Sequence, residues 1–573
     1  MKVQIIRILF GITLFFSGQL QDSIAQDKYL GVDLSYVNEL EDCGVVYYDA
    51  EGVARDPYEL LAEKGANLVR LRLWHSPEWT NYSNFLDVRK AISRSRASGM
   101  AVMLDFHYSD FWADPSRQWR PAAWNDVSDD SVLGDSLYQY TYNTLKALAD
   151  ENLLPEIVQI GNETNGNILI KRTTQAIDGS SPGMFPINWS RMVSLLHSGI
   201  SAVNQINTDL GANVKTLIHI AQPENALWWF KDAVANGLSG FDIIGISYYP
   251  QWSDYNVREM TSALQTLKND YSKEVMIVET GYPWTTGGND GAGNVLGSSS
   301  RLAEYGNQIS REVQRDFLTE MCYLSFDKGA TAVVYWEPAW VSSSCKTYWG
   351  TGSHYENATM FDFDNRLHTG SDYLGYDYSI IPPALENQDV SFIVNMYGEE
   401  TANGVFITGD FTGKEWKFIS MENTGNSMYR LDTLIPGRTI GAYIFYNKNE
   451  WNNLYRETVP ESCAEQWGTH RQYIITNKSE TYQFAWESCT SNPSGVTSIE
   501  AIPGIYPVPA DSQLRIDIRE PILNVRVSGI NGHTGEVGFE QGGAIDIHAL
   551  LPGIYVLCIT TDSATYNYRF IKI

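Results

Sequence analysis

Positive charge is scarce in this sequence: 41 Lys and Arg stand against 68 Asp and Glu over 573 residues, a formal net charge of −27. A surface of that sign repels nucleic acid and anionic membranes and disfavours a polyanionic substrate such as bare polygalacturonate, which leaves a neutral polymer. Long apolar runs are missing as well. The run from Ile8 to Phe16 is too short to span a bilayer and no later stretch is long enough, so no membrane insertion is expected. Cysteine is sparse, and Cys43, Cys322, Cys345, Cys463, Cys489 and Cys558 show no metal-type spacing.

What is present points to an exported protein. Lys2 and Arg7 precede the apolar run and Ser23-Ile24-Ala25 offers a small-residue cleavage site before Gln26, so residues 1–25 read as a signal peptide. No cysteine sits at the cleavage site, which argues against a lipid anchor. Secretion, surface display and the periplasm all remain open. An exported chain can oxidise its cysteines, and Cys463 with Cys489, both in one small β-rich segment, are the expected disulfide. Aromatic residues make up 13% of the chain, with 17 Trp and 34 Tyr. Their flat faces suit pyranose rings as well as they suit a core.

At this length two to four domains are expected. From residue 27 to 383, strand-type runs alternate with amphipathic helical stretches. Eight strand candidates (Leu30 to Leu34, Leu68 to Trp74, Ala101 to Tyr108, Ile157 to Glu163, Val214 to Ala221, Phe241 to Tyr249, Glu274 to Glu279 and Ala332 to Trp336) predict an α/β fold, a (β/α)₈ barrel. Short alternating strands over 388–490 predict an all-β sandwich, an accessory domain with carbohydrate binding as one of its readings. Ser491-Asn492-Pro493-Ser494-Gly495 reads as a linker, and 502–573 as a small C-terminal β domain.

Two glutamates carry the chemistry. Glu163 follows Ile157 to Gly161, and Glu279 follows Val275 to Val278, so each ends an apolar strand run at a barrel mouth. A glycosidic bond is cut by such a pair, one carboxyl protonating the leaving oxygen and one attacking or stabilising the anomeric carbon. Around them, Asn162 is placed to hydrogen-bond a sugar hydroxyl. Arg70 and Arg72 share one side of strand two, with an inward arginine expected to orient Glu279. His107 suits substrate, a catalytic carboxyl or a satisfied core position. Tyr248 is expected on the nucleophile and Trp336 as a sugar platform, with core packing the alternative for both.

The runs Val69 to Trp74, Asp105 to Pro115, Gln159 to Gly166 and Glu279 to Trp284 together resemble glycoside hydrolase family 53, the endo-β-1,4-galactanases acting on arabinogalactan. The resemblance implies a retaining enzyme with Glu163 as acid/base and Glu279 as nucleophile, and no cofactor for the chemistry. It also implies a structural calcium in the loop after strand seven, where Asp290 and Asn294 are the only side-chain oxygens at alternating positions of Gly287 to Asn294; a plain Gly-rich loop is the alternative. The second domain resembles starch-binding-like sandwiches, with Trp416 and Trp451 as ring platforms, and the last resembles the sorting domains of type IX secretion. A mannanase or xylanase of the same clan, or a non-catalytic glycan-binding protein, are the rivals.

Overall fold

The computed structural model describes residues 28–173, 177–465, 468–491 and parts of 505–572. The signal peptide expected over 1–25 and all of the linker expected over 491–495 except Ser491 lie outside the described residues.

Eight parallel strands close into a barrel in chain order: β1 (Tyr29–Asp33), β2 (Leu68–Leu73), β3 (Ala101–Phe106), β4 (Ile157–Ile160), β5 (Lys215–Ala221), β6 (Ile243–Tyr248), β7 (Glu274–Thr280) and β8 (Ala332–Tyr335). Every strand is buried on both faces, so successive residues point alternately into the barrel and under the helices. The inner face begins with an apolar plug of Leu68, Met103, Ile157, Leu217, Ile243, Met276, Val278, Ala332 and Val334. One pleat nearer the mouth the inner face turns polar, with Arg70, Asp105, Gln159, His219 and Ser247.

The helices α1 (Val37–Asp42) and α2 (Pro57–Lys64) follow β1, and α3 (Phe85–Ala97), α4 (Asp130–Asp150), α5 (Trp189–Leu210), α6 (Pro223–Ala235), α7 (Val257–Tyr271) and α8 (Arg311–Asp327) each follow one strand. Their starts are written in the sequence: Asp56, Asn84, Asp129, Asn188, Asn256 and Ser310 all cap free backbone N–H groups with a side-chain oxygen. The eighth unit departs from the expected pattern. After β8 the place of a helix is taken by a 3₁₀ segment, Thr369–Gly375, packed against α8 and α2.

A two-stranded hairpin, β9 (Lys346–Thr347) with β10 (Gly350–Thr351), stands on the loop after β8. A disulfide from Cys43 to Cys345 ties the base of this hairpin to the end of α1.

The following residues form two four-stranded sheets. One has the order β14 (Glu422–Gly425), β15 (Met428–Pro436), β11 (Asn387–Asn395), β18 (Glu480–Ala485); the other β13 (Ile419–Ser420), β12 (Phe406–Gly409), β16 (Thr439–Tyr446), β17 (Arg471–Ile475). Val390, Phe392, Ile407, Phe445 and Ile475 belong to the apolar cluster at their core. The second disulfide joins Cys463 to Cys489. Arg438, in the β15–β16 turn, reaches into the barrel, pairing with Glu320 of α8 at 2.9 Å, while Arg258 of α7 donates to the carbonyls of Gly437 and Arg438. The described parts of 505–572 form two further four-stranded sheets. Among the described residues no helix is long and apolar enough to cross a membrane.

Candidate active site

Arg70 is the hub of the barrel mouth. One per cent of its side chain is exposed, and its guanidinium meets Asp33 at 2.9 Å, Asp105 at 2.9 Å and Glu279 at 2.8 Å. It also donates to Asn162 Oδ1 at 2.8 Å and Gln159 Oε1 at 3.1 Å. The planar five-donor fork of arginine fits such a set; the single point charge of lysine does not. One cation among three carboxylates leaves local negative charge in excess. Burial therefore pushes the Glu279 carboxyl up to about 7; Arg70 opposes that rise, Asp105 and Asp33 add to it, and the Tyr249 hydroxyl, 3.3 Å from Oε2, holds it back.

β7 reaches this geometry through a bulge. Ile246 pairs with Ile277 and Ser247 with Glu279, so Val278 is an extra residue relative to β6, and the same irregularity recurs against β8. Two residues then oppose one, and the inside-outside alternation changes phase. Met276 and Val278 lie in the inner plug, Glu279 follows them into the mouth, and the Thr280 hydroxyl turns back toward Met321 of α8.

Glu163 is placed differently. β4 stops at Ile160 because Gly161 (φ 81°) and Glu163 itself (φ 44°) adopt left-handed backbone, which no strand continues. Its Oε1 accepts the Ser247 hydroxyl at 2.6 Å, and Ser247 Oγ lies 2.8 Å from His219 Nε2. Around His219 Nδ1 stand the backbone N–H of Glu163, the side-chain amide of Gln159 and, at 2.9 Å, Asn162 Oδ1. Burial, reinforced by Arg70, holds His219 well below the usual histidine range, so the ring is neutral. Burial and then the nearby Glu279 charge push Glu163 well above the ordinary 4.5. Glu279 touches a guanidinium, whereas the partner of Glu163 is a neutral hydroxyl. A single proton shared by the pair therefore rests on Glu163.

Both carboxylates line one cleft of ≈ 480 Å³. Trp112, Trp336, Trp340 and Trp349 line it with them, as do Tyr249 and Trp252. Trp349 packs near Phe111, in the loop after β3, whereas Trp252 packs on Tyr249 at the end of β6. In an eight-stranded ring those positions lie across the mouth from each other, so the cleft crosses the barrel top with an aromatic ring toward each side.

Several expected residues stand elsewhere. Arg72 does not reach the cleft: its guanidinium is buried 3.4 Å from Glu337 and stacks behind Trp112 at 4.1 Å. His107 faces Asp105 at 3.0 Å and accepts the Ala113 N–H, the satisfied core position. Tyr248 points outward to the carbonyl of Tyr255; the tyrosine on Glu279 is Tyr249, because the inner face of β6 carries Gly245, Ser247 and then residue 249. Asn162 lines the cleft, but its oxygen is taken by Arg70 and one amide hydrogen by Ala113, which leaves one hydrogen for a sugar. Trp336 is in the wall as expected. Asp290 has its oxygens occupied by backbone N–H groups of Ala292, Ser343 and Ser353, and Asn294, whose amide nitrogen donates to Gly287, is left to offer a single oxygen, so the loop after β7 does not fit calcium. Among the described residues no group of three His, Cys, Asp or Glu gathers as a metal set. Ser247, His219, Asp33 and Glu337 escaped the sequence reading. The alternation on β6 carried a signal for Ser247; the others had none.

Residues 29–371 match Glycosyl hydrolase family 53, and residues 504–573 match the Secretion system C-terminal sorting domain, which marks the chain for secretion. An arabinogalactan endo-beta-1,4-galactanase of Cellvibrio japonicus is 49% identical over 334 residues, 58% of this chain and 86% of the relative. An endo-beta-1,4-galactanase of Bacillus subtilis is 32% identical over 337 residues, 57% of this chain and 73% of the relative. Among solved structures, the GH53 catalytic domain of Ignisphaera aggregans superposes with a TM-score of 0.53 at 32% identity, covering 62% of this chain and 98% of that one. A fungal beta-1,4-galactanase structure gives 0.51 at 30% identity, with 61% and 99% covered.

Proposed function

The chain belongs to glycosyl hydrolase family 53, and on that premise we propose that it is a secreted endo-acting hydrolase of β-1,4-galactan that retains configuration, with Glu279 as nucleophile and Glu163 as acid and base. The observation that carries the reading is two carboxyl groups on one open cleft, only one of them paired with a buried arginine. Arg70 and Tyr249 each hold one oxygen of Glu279 and so orient the carboxylate for attack on the anomeric carbon. Ser247 occupies Oε1 of Glu163, which leaves Oε2 to carry the proton to the glycosidic oxygen.

In the first step the C1–O bond to the leaving chain breaks, its oxygen takes the Glu163 proton, and C1 bonds to Glu279. The negative charge on Glu279 is then gone, the repulsion that raised Glu163 fades, and the ionised Glu163 takes a proton from water as that water displaces Glu279. The substrate follows from the relatives, whose printed names are galactanases. The cleft crossing the mouth, with Trp349 and Trp252 on opposite sides, supports binding a chain on both sides of the bond that is cut.

A digest of galactan, mannan and xylan with product sizing tests substrate and endo action together. Galactan alone is expected to yield short oligomers, and activity on only the other two overturns the substrate. Glu279→Ala should lose roughly 10⁴-fold or more in turnover, with azide restoring a galactosyl azide of inverted configuration. Unchanged turnover in that variant would show that Glu279 is not the nucleophile, and no turnover by the wild-type protein would revive a glycan-binding protein without catalysis.

The sandwich we read as an accessory glycan-binding module. Trp451, 59% exposed, packs at a tilt on Phe418, its ring centroid 4.6 Å away.

A further inference from the structure

The loops after β7 and β8 supply Val295, Trp336, Trp340, Trp349, His354 and Tyr355 to the cleft. Two carboxylates hold these loops to each other. Asp290 Oδ1 accepts the N–H of Ala292 at 3.0 Å in its own loop, and Oδ2 accepts those of Ser343 and Ser353, at 3.0 and 2.6 Å, in the other. Glu356, in the second loop and 1% exposed, accepts the Asn289 N–H at 2.6 Å on Oε1 and the Ser342 hydroxyl on Oε2. The glycines beside them leave room for little else. A Cβ on Gly352, whose φ is +114°, would lie 2.5 Å from Asp290 Oδ1, and one on Gly288 2.9 Å from Glu356 Oε1.

The donor chemistry explains why this junction does not fit a cation. An ionised carboxylate offers about four lone-pair sites, and Asp290 has filled three with N–H donors. The Gly293 carbonyl faces His354 Nδ1 at 2.8 Å. Asn294 Oδ1 is the one buried side-chain oxygen of the loop without a partner, where calcium takes about six to eight oxygens. Backbone N–H groups, which repel a cation, already hold the Asp290 oxygens that a cation would need.

We propose that Asp290 and Glu356 are positioning residues for the galactan cleft, fixing its wall through backbone N–H groups where a metal-bound loop would use an ion. The two differ in what can replace them. A glutamine at 356 still accepts from Asn289 and can donate to Ser342, whereas an asparagine at 290 turns an NH₂ toward N–H groups that need an acceptor.

The proposal deepens the reading of this cleft as a galactan site, and the thermal arm below decides it independently of that reading. The full-length protein is melted with EDTA and with added calcium, and Asp290→Asn, Glu356→Ala and Glu356→Gln are compared with wild type in Tm and in kcat and KM on galactan. EDTA and calcium should leave Tm unmoved. Glu356→Ala, which removes both acceptors, and Asp290→Asn should each lose several degrees of Tm and raise KM several-fold with kcat within about two-fold, whereas Glu356→Gln should lose much less than Glu356→Ala. A Glu356→Ala protein indistinguishable from wild type overturns the role of Glu356. A fall in Tm on EDTA that calcium reverses overturns the proposal, as does an Asp290→Asn protein indistinguishable from wild type. Should Asp290→Asn not accumulate, Gly352→Ala, which crowds Asp290 without removing it, is expected to give the same signature; wild-type Tm and KM there count against the proposal. Absence of galactan cleavage by wild type would sink the proposed function and leave the Tm result standing.

Discussion

The division of labour between Glu163 and Glu279 rests on which of them meets a cation. Both carboxyls are raised by burial, so both bind a proton more tightly in the folded chain than in the unfolded one. A group raised in this way stabilises the fold fully below its unfolded value, and that contribution is lost as the pH rises through the folded value. Glu163→Gln should therefore leave Tm unchanged well below 4.5, the ordinary glutamate value, and raise it increasingly above. Melting curves across pH read this directly, and a Tm gain largest in acid would contradict the assignment. The rate should be bell-shaped, rising as Glu279 ionises and falling as Glu163 loses its proton. On an aryl galactoside whose leaving group needs no acid, the alkaline limb should vanish in Glu163→Gln while the acid limb stays. At this scale the sequence was legible in part. The strand-end glutamates stood out, but Arg70 and Arg72 sit on the same inner face and differ only in which neighbours they meet. That is decided by barrel stagger and by Trp112, not by anything local to Val69 to Trp74.

Among the elements, β7 shows where pattern reading fails and why. Apolar residues from Val275 to Val278 identify the strand, but a regular alternation after Met276 and Val278 would turn Thr280 inward and Glu279 toward the helices. The bulge at Val278 reverses this, and a bulge has no signature in a run of valine, isoleucine and methionine. Inserting one alanine between Val278 and Glu279 should place the alanine opposite Ser247 and turn Glu279 toward the helices. Turnover is expected to vanish while circular dichroism still reports a folded barrel. Val278→Ala, which keeps the extra residue, should retain activity at a lower Tm. An active insertion variant would show that strand register is not what aims Glu279. The same reasoning explains Tyr249. The hydroxyl on Glu279 comes from Tyr249 and not Tyr248 because inward positions on β6 run in twos from Ile243 in the apolar plug. The missing eighth helix was equally hidden, since Thr369–Gly375 fills the gap between α8 and α2 with seven residues that carry no helical period.

Across the whole molecule the barrel and sandwich are joined through a buried charge pair. Arg438 and Glu320 are 8% and 3% exposed, and Arg438 also stacks over Tyr305 at 4.2 Å. Removing the cation leaves a buried carboxylate without its partner, which costs about 3–5 kcal/mol for pairs of this kind. Arg438→Ala should separate one calorimetric unfolding transition into two, with the catalytic rate on short substrates unchanged; a single unshifted transition would mean the contact contributes nothing. The order of barrel, sandwich and terminal β sheets was readable because composition changes at the prolines near 382 and at the linker. The docking of the first two was not, because Arg438 is a turn residue with no local sign of its distant partner.

The bridge between Cys43 and Cys345 encloses 302 positions of sequence, nearly the whole barrel. A protease that nicks any loop inside that span cannot release a piece: both halves stay covalently joined and migrate as one species until a reductant is added. For a secreted enzyme, a single cut in a surface loop need not become dismemberment.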